Sequence, residues 1–285
     1  MPGPRPSSPS AHGSPPEHGS PPEQARGPSP AALEPARRLL AGARRVLVLT
    51  GAGISTDSGI PDFRGPDGVW TRNPEAERLA TLDAYVSDPE VRRRAWRNRL
   101  ESPTWQAGPN DGHRALVELE RQGKLHLLVT QNIDGLHQKA GSSPDRVVEI
   151  HGTMREVVCL RCGERTDAQP VLDRVRAGEE DPACATELEG RPCGGILKSA
   201  TVSFGQQLVA EDLVRAEAAA RACDLLLAVG STLAVFPAAG LVPLAASAGA
   251  AVVIVNGEPT GYDELADAVV RGSISEVLPA LVGTG

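Results

Sequence analysis

Residues 51–62 read GAGISTDSGIPD and directly follow a short apolar run, VLVL, at residues 46–49. A glycine-rich turn after a buried strand is typical of a doubly wound α/β sheet, because Gly51 and Gly53 allow backbone amides to approach a phosphate closely. The common dinucleotide fingerprint has a third glycine where this chain has Thr56. The pattern therefore predicts a nucleotide-binding turn that fits a hydride-transfer cofactor poorly.

Apolar runs and amphipathic segments alternate along the rest of the chain. Aliphatic runs occur at residues 125–130, 147–150, 225–229 and 251–255, and helical patterns at residues 113–122, 211–222 and 237–248, with a first helix from about residue 31. This alternation predicts right-handed crossovers and a parallel, Rossmann-like sheet with helices on both faces. Four motifs, GAGIS, TQNID, GST and NGE, each follow an apolar run. We expect them to converge at the carboxyl ends of the strands.

The composition argues against several classes of partner. The chain is 40% hydrophobic but only 3% aromatic, which favours an aliphatic core. Its net charge of −7 offers no basic field to a nucleic-acid backbone, so direct nucleic-acid binding is not expected. The longest apolar stretch, residues 244–255, is shorter than the roughly 18 residues of a membrane helix, so no membrane association is expected.

The first 30 residues differ in composition from the remainder. Twenty of them are Pro, Ser or Gly, and the hexamer HGSPPE occurs twice in tandem. We expect residues 1–30 to form a disordered extension and residues 31–285 to form the folded domain. The extension lacks the apolar core of a secretory signal, and the five cysteines do not resemble a small disulfide framework, so we expect a cytoplasmic location.

The cysteines concentrate where the strand–helix alternation breaks down, in a candidate inserted module at residues 154–199. Cys159 and Cys162 form a CxxC pair, and Cys184 and Cys193 follow after 21 intervening residues. Four thiolates can close a tetrahedral zinc site, and a site without an open position is structural. Two alternatives are that one of the later cysteines is an ordinary thiol and that the CxxC is a redox pair.

One histidine lies where the four motifs are expected to converge. His151 follows the apolar run at residues 147–150 and precedes Gly152, which places an imidazole at the carboxyl end of a strand. A lone histidine is more often a structural residue than a catalyst, and the spacing alone leaves both roles open for His151. His113 and His137 have no such placement and are interpreted as structural. An imidazole can accept and return a proton near neutral pH.

The chain resembles the sirtuins, which are NAD-dependent protein-lysine deacylases. The resemblance rests on GAGIS, GIPDFRG at residues 59–65, TQNIDGLH at residues 130–137, His151-Gly152, four cysteines, GST and NGE, and it runs from about residue 40 to the C-terminus. It implies transfer of the acyl group from lysine to ADP-ribose with release of nicotinamide, on acylated-lysine protein substrates. It also implies NAD as cofactor and one structural zinc ion.

The resemblance assigns roles to individual residues. It implies His151 as general base and Asn132 as its catalytic partner at the ribose, with Asp134 holding the nicotinamide carboxamide and Phe63 shielding the reactive carbon. The further NAD-binding residues that it implies are Gly51, Ala52, Gly53, Ser55, Asp62, Arg64, Gln131, Ile133, Gly230, Ser231, Thr232, Asn256, Gly257, Glu258 and Ile274. The alternative for Ser231 and Asn256 is ordinary turn capping after a strand.

The substrate side of the site departs from the family pattern. Phe204 and Gly205 match the segment that pairs with the backbone of an acylated peptide. Family members that remove acidic acyl groups have Tyr-x-x-Arg in the acyl pocket, where this chain has Trp96 and Arg99. The arginine is present, but tryptophan replaces the tyrosine, so acetyl-lysine is the predicted substrate.

Four other functions are compatible with parts of the pattern. A protein ADP-ribosyltransferase could use the same NAD site, and deacylation of other acyl groups is a variant of the leading hypothesis. A binding module for acyl-lysine or NAD is disfavoured by the intact set of catalytic residues. A dehydrogenase is disfavoured by Thr56.

Overall fold

The computed structural model describes residue 3 and residues 30–62, 68–72 and 80–283. The expected extension at residues 1–30 lies outside this part of the chain except for Gly3 and Pro30. Phe63 and Arg64 also lie outside it.

The described elements follow one another in a largely alternating order. The α-helices are α1 Pro30–Gly42, α2 Val69–Arg72, α3 Leu82–Ser87, α4 Pro89–Leu100, α5 Asp111–Arg121, α6 Leu136–Ala140, α7 Ala168–Arg176, α8 Ala210–Ala222, α9 Leu241–Ser247 and α10 Ile274–Val282. The strands are β1 Val46–Thr50, β2 Leu125–Thr130, β3 Val147–Glu149, β4 Gly152–Cys159, β5 Arg165–Asp167, β6 Glu187–Leu188, β7 Arg191–Pro192, β8 Leu197–Thr201, β9 Leu225–Val229, β10 Ala251–Val255 and β11 Ala268–Val270. Among the described helices, none combines the length and the apolar character that crossing a bilayer requires.

The central sheet has six parallel strands in the order β11-β10-β9-β1-β2-β3. The chain builds outward from β1 through β2 and β3, and then returns to the other side of β1 with β9, β10 and β11. The direction of winding therefore reverses between β1 and β9, where Thr50 lies in register with Val229. This topology confirms the predicted doubly wound sheet.

Apolar layers cover both faces of this sheet. One layer includes Leu33 of α1, Leu116 of α5 and Leu278 of α10, all of which are buried. The opposite layer includes Ala216 of α8 and Val242 of α9. Strand β1 lies between the two layers and is buried at all five positions, which explains its continuous apolar sequence.

Two elements differ from the sequence-based expectation. The helical pattern at residues 237–248 is split into a 3-10 turn, Ala238–Gly240, and helix α9. Strand β11 was not predicted, because three residues are too few for a recognisable apolar run.

A smaller module follows β3. Strands β5, β4 and β8 form an antiparallel sheet that spans residues 152–201, and β6 and β7 form a hairpin. Helix α4, from a distant part of the sequence, packs on this module by burying Trp96 against Val157 and Leu197. The packing of α4 on this module was not predicted from the sequence.

Candidate functional site

Three glycines bring the ends of β1 and β9 into direct contact. The N–H of Gly51 donates to the carbonyl of Val229 at 3.0 Å, and the N–H of Gly53 donates to the carbonyl of Gly230 at 2.8 Å. A Cβ on Gly51 would lie 2.7 Å from the Gly230 oxygen, and a Cβ on Gly230 would lie 2.5 Å from the nitrogen of Ile54. Glycine is therefore required at this crossing for its lack of a side chain.

These bonds change the interpretation of the glycine turn. We expected the amides of Gly51 and Gly53 to approach a phosphate, but in the structure both donate to β9 and its following residue. In the described part of the chain, the N–H of Ala52 makes no such bond. Ala52 is thus the residue of this turn whose backbone amide can meet an anion.

The loop after β2 carries a buried polar network. Asn132 donates from Nδ2 to the carbonyl of Gly51 at 3.1 Å and to Oγ of Ser55 at 3.2 Å. The Ser55 hydroxyl in turn donates to Oδ2 of Asp134 at 2.8 Å, and Oδ1 of Asp134 accepts from the N–H of Leu136 at 2.9 Å. All three polar side chains are buried, so their orientations are fixed by these bonds.

His151 is oriented by the same loop. Its Nδ1 lies 3.1 Å from the carbonyl oxygen of Gln131. Because a carbonyl can only accept, Nδ1 must carry the proton and Nε2 is left as the basic atom. Burial lowers the pKa of His151 below its ordinary value, although the bond to Gln131 opposes this shift. The imidazole is therefore neutral near pH 7 and ready to accept a proton.

Gln131 also connects the loop to the β9 end of the crevice. Its Nε2 donates to Oγ of Ser231 at 2.9 Å, and the same hydroxyl accepts from the N–H of Leu233 at 3.1 Å. The motifs TQNID and GST, 100 residues apart, thus share a direct hydrogen bond. Asn256 and Ile274 are buried, and Nδ2 of Asn256 donates to the carbonyl of Glu258 at 2.8 Å.

A group of buried titratable side chains lies behind the loop. His137 pairs through Nε2 with the Thr50 hydroxyl at 3.0 Å, and its ring centroid is 4.9 Å from that of His113. Burial lowers the pKa of His113 to about 4 and that of His137 well below its ordinary value. Burial, followed by the charge of Asp134, raises the pKa of Glu149 to about 7. The two imidazoles are neutral structural groups, as their sequence positions indicated.

The segment proposed to meet the substrate is already paired with another part of the chain. The N–H of Phe204 donates to the carbonyl of Ala80 at 3.1 Å, and its carbonyl accepts from the N–H of Leu82 at 3.0 Å. An added strand would therefore have to pair with neighbours of Phe204. Beside it lies an open cavity of about 560 Å³, lined by Thr81, Leu82, Asp83, Val86, Phe204 and Gly205.

Trp96 and Arg99 lie on one face of α4, close to β8. The Trp96 indole is 2% exposed, and its Nε1 has no hydrogen-bond partner among the described residues. Burial lowers the pKa of Arg99 to about 10, opposed by Tyr85, so Arg99 stays protonated at neutral pH. Tyr85 donates to the carbonyl of Leu197 at 2.7 Å. Burial and then Arg99 lower the pKa of Lys198 to about 8.

The four module cysteines form a compact cluster. Their sulfur atoms all lie within 4.8 Å of one another. The Cys159 and Cys193 sulfurs are 3.7 Å apart, and those of Cys162 and Cys184 are 3.8 Å apart. A tetrahedral site with Zn–S bonds of about 2.3 Å requires sulfur–sulfur separations of about 3.8 Å, whereas a disulfide would require about 2.05 Å. The cluster therefore fits a closed zinc site to which all four cysteines contribute.

Comparison with known proteins places this architecture in a family. The sequence profile of the Sir2 family matches residues 51–237. The chain is 51% identical over 243 residues to NAD-dependent protein deacetylase 2 of Streptomyces coelicolor, covering 85% of this chain and 98% of that protein. It is 41% identical over 246 residues to an NAD-dependent protein deacetylase of Sulfurisphaera tokodaii, with 86% and 92% covered.

The chain belongs to the Sir2 family. Solved Sir2 structures agree with this assignment. One, described as a structural basis for the mechanism and regulation of Sir2 enzymes, superposes with a TM-score of 0.79 at 40% identity and covers 89% of this chain and 97% of that one. Another, a Sir2 variant with a deacetylated p53 peptide and 3′-O-acetyl-ADP-ribose, has a TM-score of 0.80 at 33% identity and covers 89% and 98%.

In this Sir2 protein the sequence motifs meet as expected, but several supporting residues had no sequence signal. Ser55, Asn132, Asp134, His151 and Ser231 are joined through the bonds described above. Thr232, Gly257 and Glu258 are exposed. Glu149, Tyr85, Lys198 and Arg155 were not predicted, because their roles depend on contacts between distant segments.

We predict that serine at Cys184 lowers zinc content and stability together, because a closed thiolate site contributes directly to the free energy of folding. Metal analysis and thermal unfolding of the purified variant test this. Cys223→Ser is the matched control, since Cys223 is buried outside the cluster and should leave zinc content unchanged. Wild-type protein that is folded with well under one zinc per chain would contradict the assignment.

We predict that Glu149→Gln gains stability relative to wild type as the pH rises. The carboxyl of Glu149 titrates near 4.5 when unfolded and about 7 when folded, so between these values the folded state binds more protons. Wild-type stability therefore falls as pH rises through this window, and glutamine does not share the loss. Unfolding midpoints at pH 5 and pH 8, with the exposed Glu187→Gln as control, measure the difference. Parallel pH profiles for Glu149→Gln and wild type would refute it.

Proposed function

We propose that this Sir2 protein is an NAD-dependent protein-lysine deacetylase that transfers the acyl group of acetyl-lysine to ADP-ribose with release of nicotinamide. The observation that carries the proposal is the anchored imidazole: Nδ1 of His151 is held by the carbonyl of Gln131, which leaves Nε2 as the basic atom. NAD, when bound, supplies an activated C1′ carbon that can exchange nicotinamide for an oxygen nucleophile.

The residues proposed for the nicotinamide end of NAD share hydrogen bonds through Ser55. Asn132 is buried with its amide oriented by Gly51 and Ser55, so its side-chain oxygen can accept a hydrogen bond from a ribose hydroxyl. The Asp134 carboxylate can accept from an amide N–H. Ala52 and Ser231 would serve the phosphates, and Asn256 and Ile274 the adenosine. Asp62, Ile133 and Gly257 are further candidates from the sequence.

His151 supplies the acid–base step in this proposal. A neutral imidazole with a free Nε2 can remove a proton from a ribose hydroxyl, which makes that oxygen a better nucleophile toward the acyl carbon. The depressed pKa keeps the base deprotonated at cytoplasmic pH. The proton can be returned from the same nitrogen when the lysine amine leaves.

The cellular setting is proposed on chemical grounds. A zinc site made of thiolates and a buried free thiol at Cys223 suit a reducing cytoplasm. The net charge of −7 favours protein substrates over direct contact with nucleic acid.

We predict that His151→Ala lowers deacetylation by about 10² to 10⁴ while NAD affinity changes only a few-fold, because the imidazole moves protons and is not required to hold the dinucleotide. As the pH is lowered, kcat/KM of the wild type should begin to fall only below about 6.5, the ordinary pKa of an imidazole. His126→Ala is the matched control, since His126 lies in β2 near the opposite end of the sheet. Near wild-type turnover by His151→Ala would exclude this base.

The acyl preference follows from the indole at position 96. Arg99 could pair with a succinyl carboxylate, but Trp96 is 2% exposed and packs in the module core, so it offers that carboxylate no hydroxyl of the kind that a tyrosine would supply. We therefore predict higher kcat/KM for acetyl-lysine than for succinyl-lysine on the same peptide, and a shift toward succinyl in Trp96→Tyr.

Mass spectrometry of acyl-ADP-ribose and nicotinamide release on acetylated, succinylated and long-chain acylated peptides provides the measurement. A wild-type preference for succinyl-lysine would overturn the acyl assignment. Transfer of labelled ADP-ribose to protein, without deacylation, would instead support the ADP-ribosyltransferase alternative.

A further inference from the structure

We propose that Arg155 is a positioning residue that fixes Asp134 for the nicotinamide end of the cofactor. Arg155 lies on β4 of the zinc module, whereas Asp134 belongs to the loop after β2 of the central sheet. The inference rests on the proposed function in one respect, namely that Asp134 faces the nicotinamide carboxamide. No sequence motif identified this arginine, because its contacts join three separate segments.

The guanidinium of Arg155 holds the backbone of the loop. Its Nη2 donates to the carbonyl oxygen of Asp134 at 3.0 Å. The next residue, Gly135, has φ of +70°, and a Cβ there would lie 2.9 Å from Nε of Arg155. The arginine stem therefore occupies the space beside the loop that a side chain at residue 135 would need.

Asp134 is thus held from two directions. Ser55 and the N–H of Leu136 fix its carboxylate, and Arg155 fixes its carbonyl. One further bond ties the loop to the same strand, since the N–H of Met154 donates to the carbonyl of Ile133 at 2.9 Å. Only the bond from Arg155 is made by a side chain of β4, so it can be removed without changing the backbone.

Arg155 is itself oriented from the module side. Its guanidinium carbon lies 5.5 Å from the centre of the Trp105 ring, a geometry that supports a cation–π contact. The Trp105 indole is fixed because Nε1 donates to the carbonyl of Arg99 at 2.7 Å. Arginine suits this position better than lysine, because its planar group can stack on the ring and donate a hydrogen bond at once.

A positioning role predicts a selective effect on ligands. NAD and ADP-ribose share the adenosine, both phosphates and a ribose, but only NAD carries the nicotinamide ring. If Asp134 is held less firmly, the affinity for NAD should therefore fall and the affinity for ADP-ribose should stay nearly unchanged. A general disturbance of the crevice would lower the affinity for both ligands equally.

The test is calorimetric titration of the full-length zinc-loaded protein with NAD and, separately, with ADP-ribose. For Arg155→Met we expect NAD affinity to fall about tenfold, the effect of losing one charge-assisted hydrogen bond, while ADP-ribose affinity changes less than about twofold. Arg155→Lys should recover part of the loss. Arg165→Met is the matched control, since Arg165 lies in the same three-stranded sheet and pairs with Glu156 at the surface.

Zinc content and unfolding temperature are measured on each variant to confirm that the fold is retained. Unchanged NAD affinity in Arg155→Met, or equal losses for NAD and ADP-ribose, would overturn the positioning role while leaving the proposed function intact. Wild-type protein that binds ADP-ribose and NAD with equal affinity and does not deacylate would overturn both. Nicotinamide inhibition of deacetylation gives a second reading, and it should weaken in parallel with NAD affinity.

Discussion

The close crossing of Gly51 and Gly53 with Gly230 is the constraint on which the site depends. The winding of the sheet reverses between β1 and β9, and the two strand ends can meet only because none of these residues has a side chain. The carbonyl of Gly51 then anchors Asn132, and Ser231, which follows Gly230, accepts from Gln131. Gln131 orients His151. A bulkier residue at the crossing would displace the loops that carry Asn132 and Ser231 together with His151.

The central sheet could be predicted because its strands are buried on both faces. A strand covered by helices on each side has no solvent-facing positions, so it appears as a continuous aliphatic run, as in β1 and β9. Strand β11 escaped prediction because it is an edge strand of three residues. The split before α9 was also missed, because helical periodicity does not distinguish a 3-10 turn from the first turn of an α-helix.

The motifs of the candidate site could be predicted from the sequence, but the contacts that hold these motifs in place could not. Polar residues that follow strands must meet at one edge of a parallel sheet, so the convergence of Asn132, His151 and Ser231 follows from order alone. The packing of α4 on the module, the raised pKa of Glu149 and the reach of Arg155 to Asp134 depend on side-chain contacts between segments. The amides of Gly51 and Gly53 differ from the local expectation, because they donate to the carbonyls of Val229 and Gly230 and are satisfied by these tertiary hydrogen bonds.

The cysteine module has the chemistry of a structural zinc site, and its backbone is continuous with the candidate functional site. Strand β4 begins at Gly152, directly after His151, and ends at Cys159 in the metal cluster. Gly152 has φ of +74°, and any Cβ there would overlap the carbonyl oxygen of Ala200 in β8. The N–H of Val202, just beyond β8, donates to the carbonyl of His151 at 2.7 Å. The cysteines lie at one end of the β4–β8 pair and His151 precedes the other, so a single pair of strands connects the thiolate cluster to the proposed base.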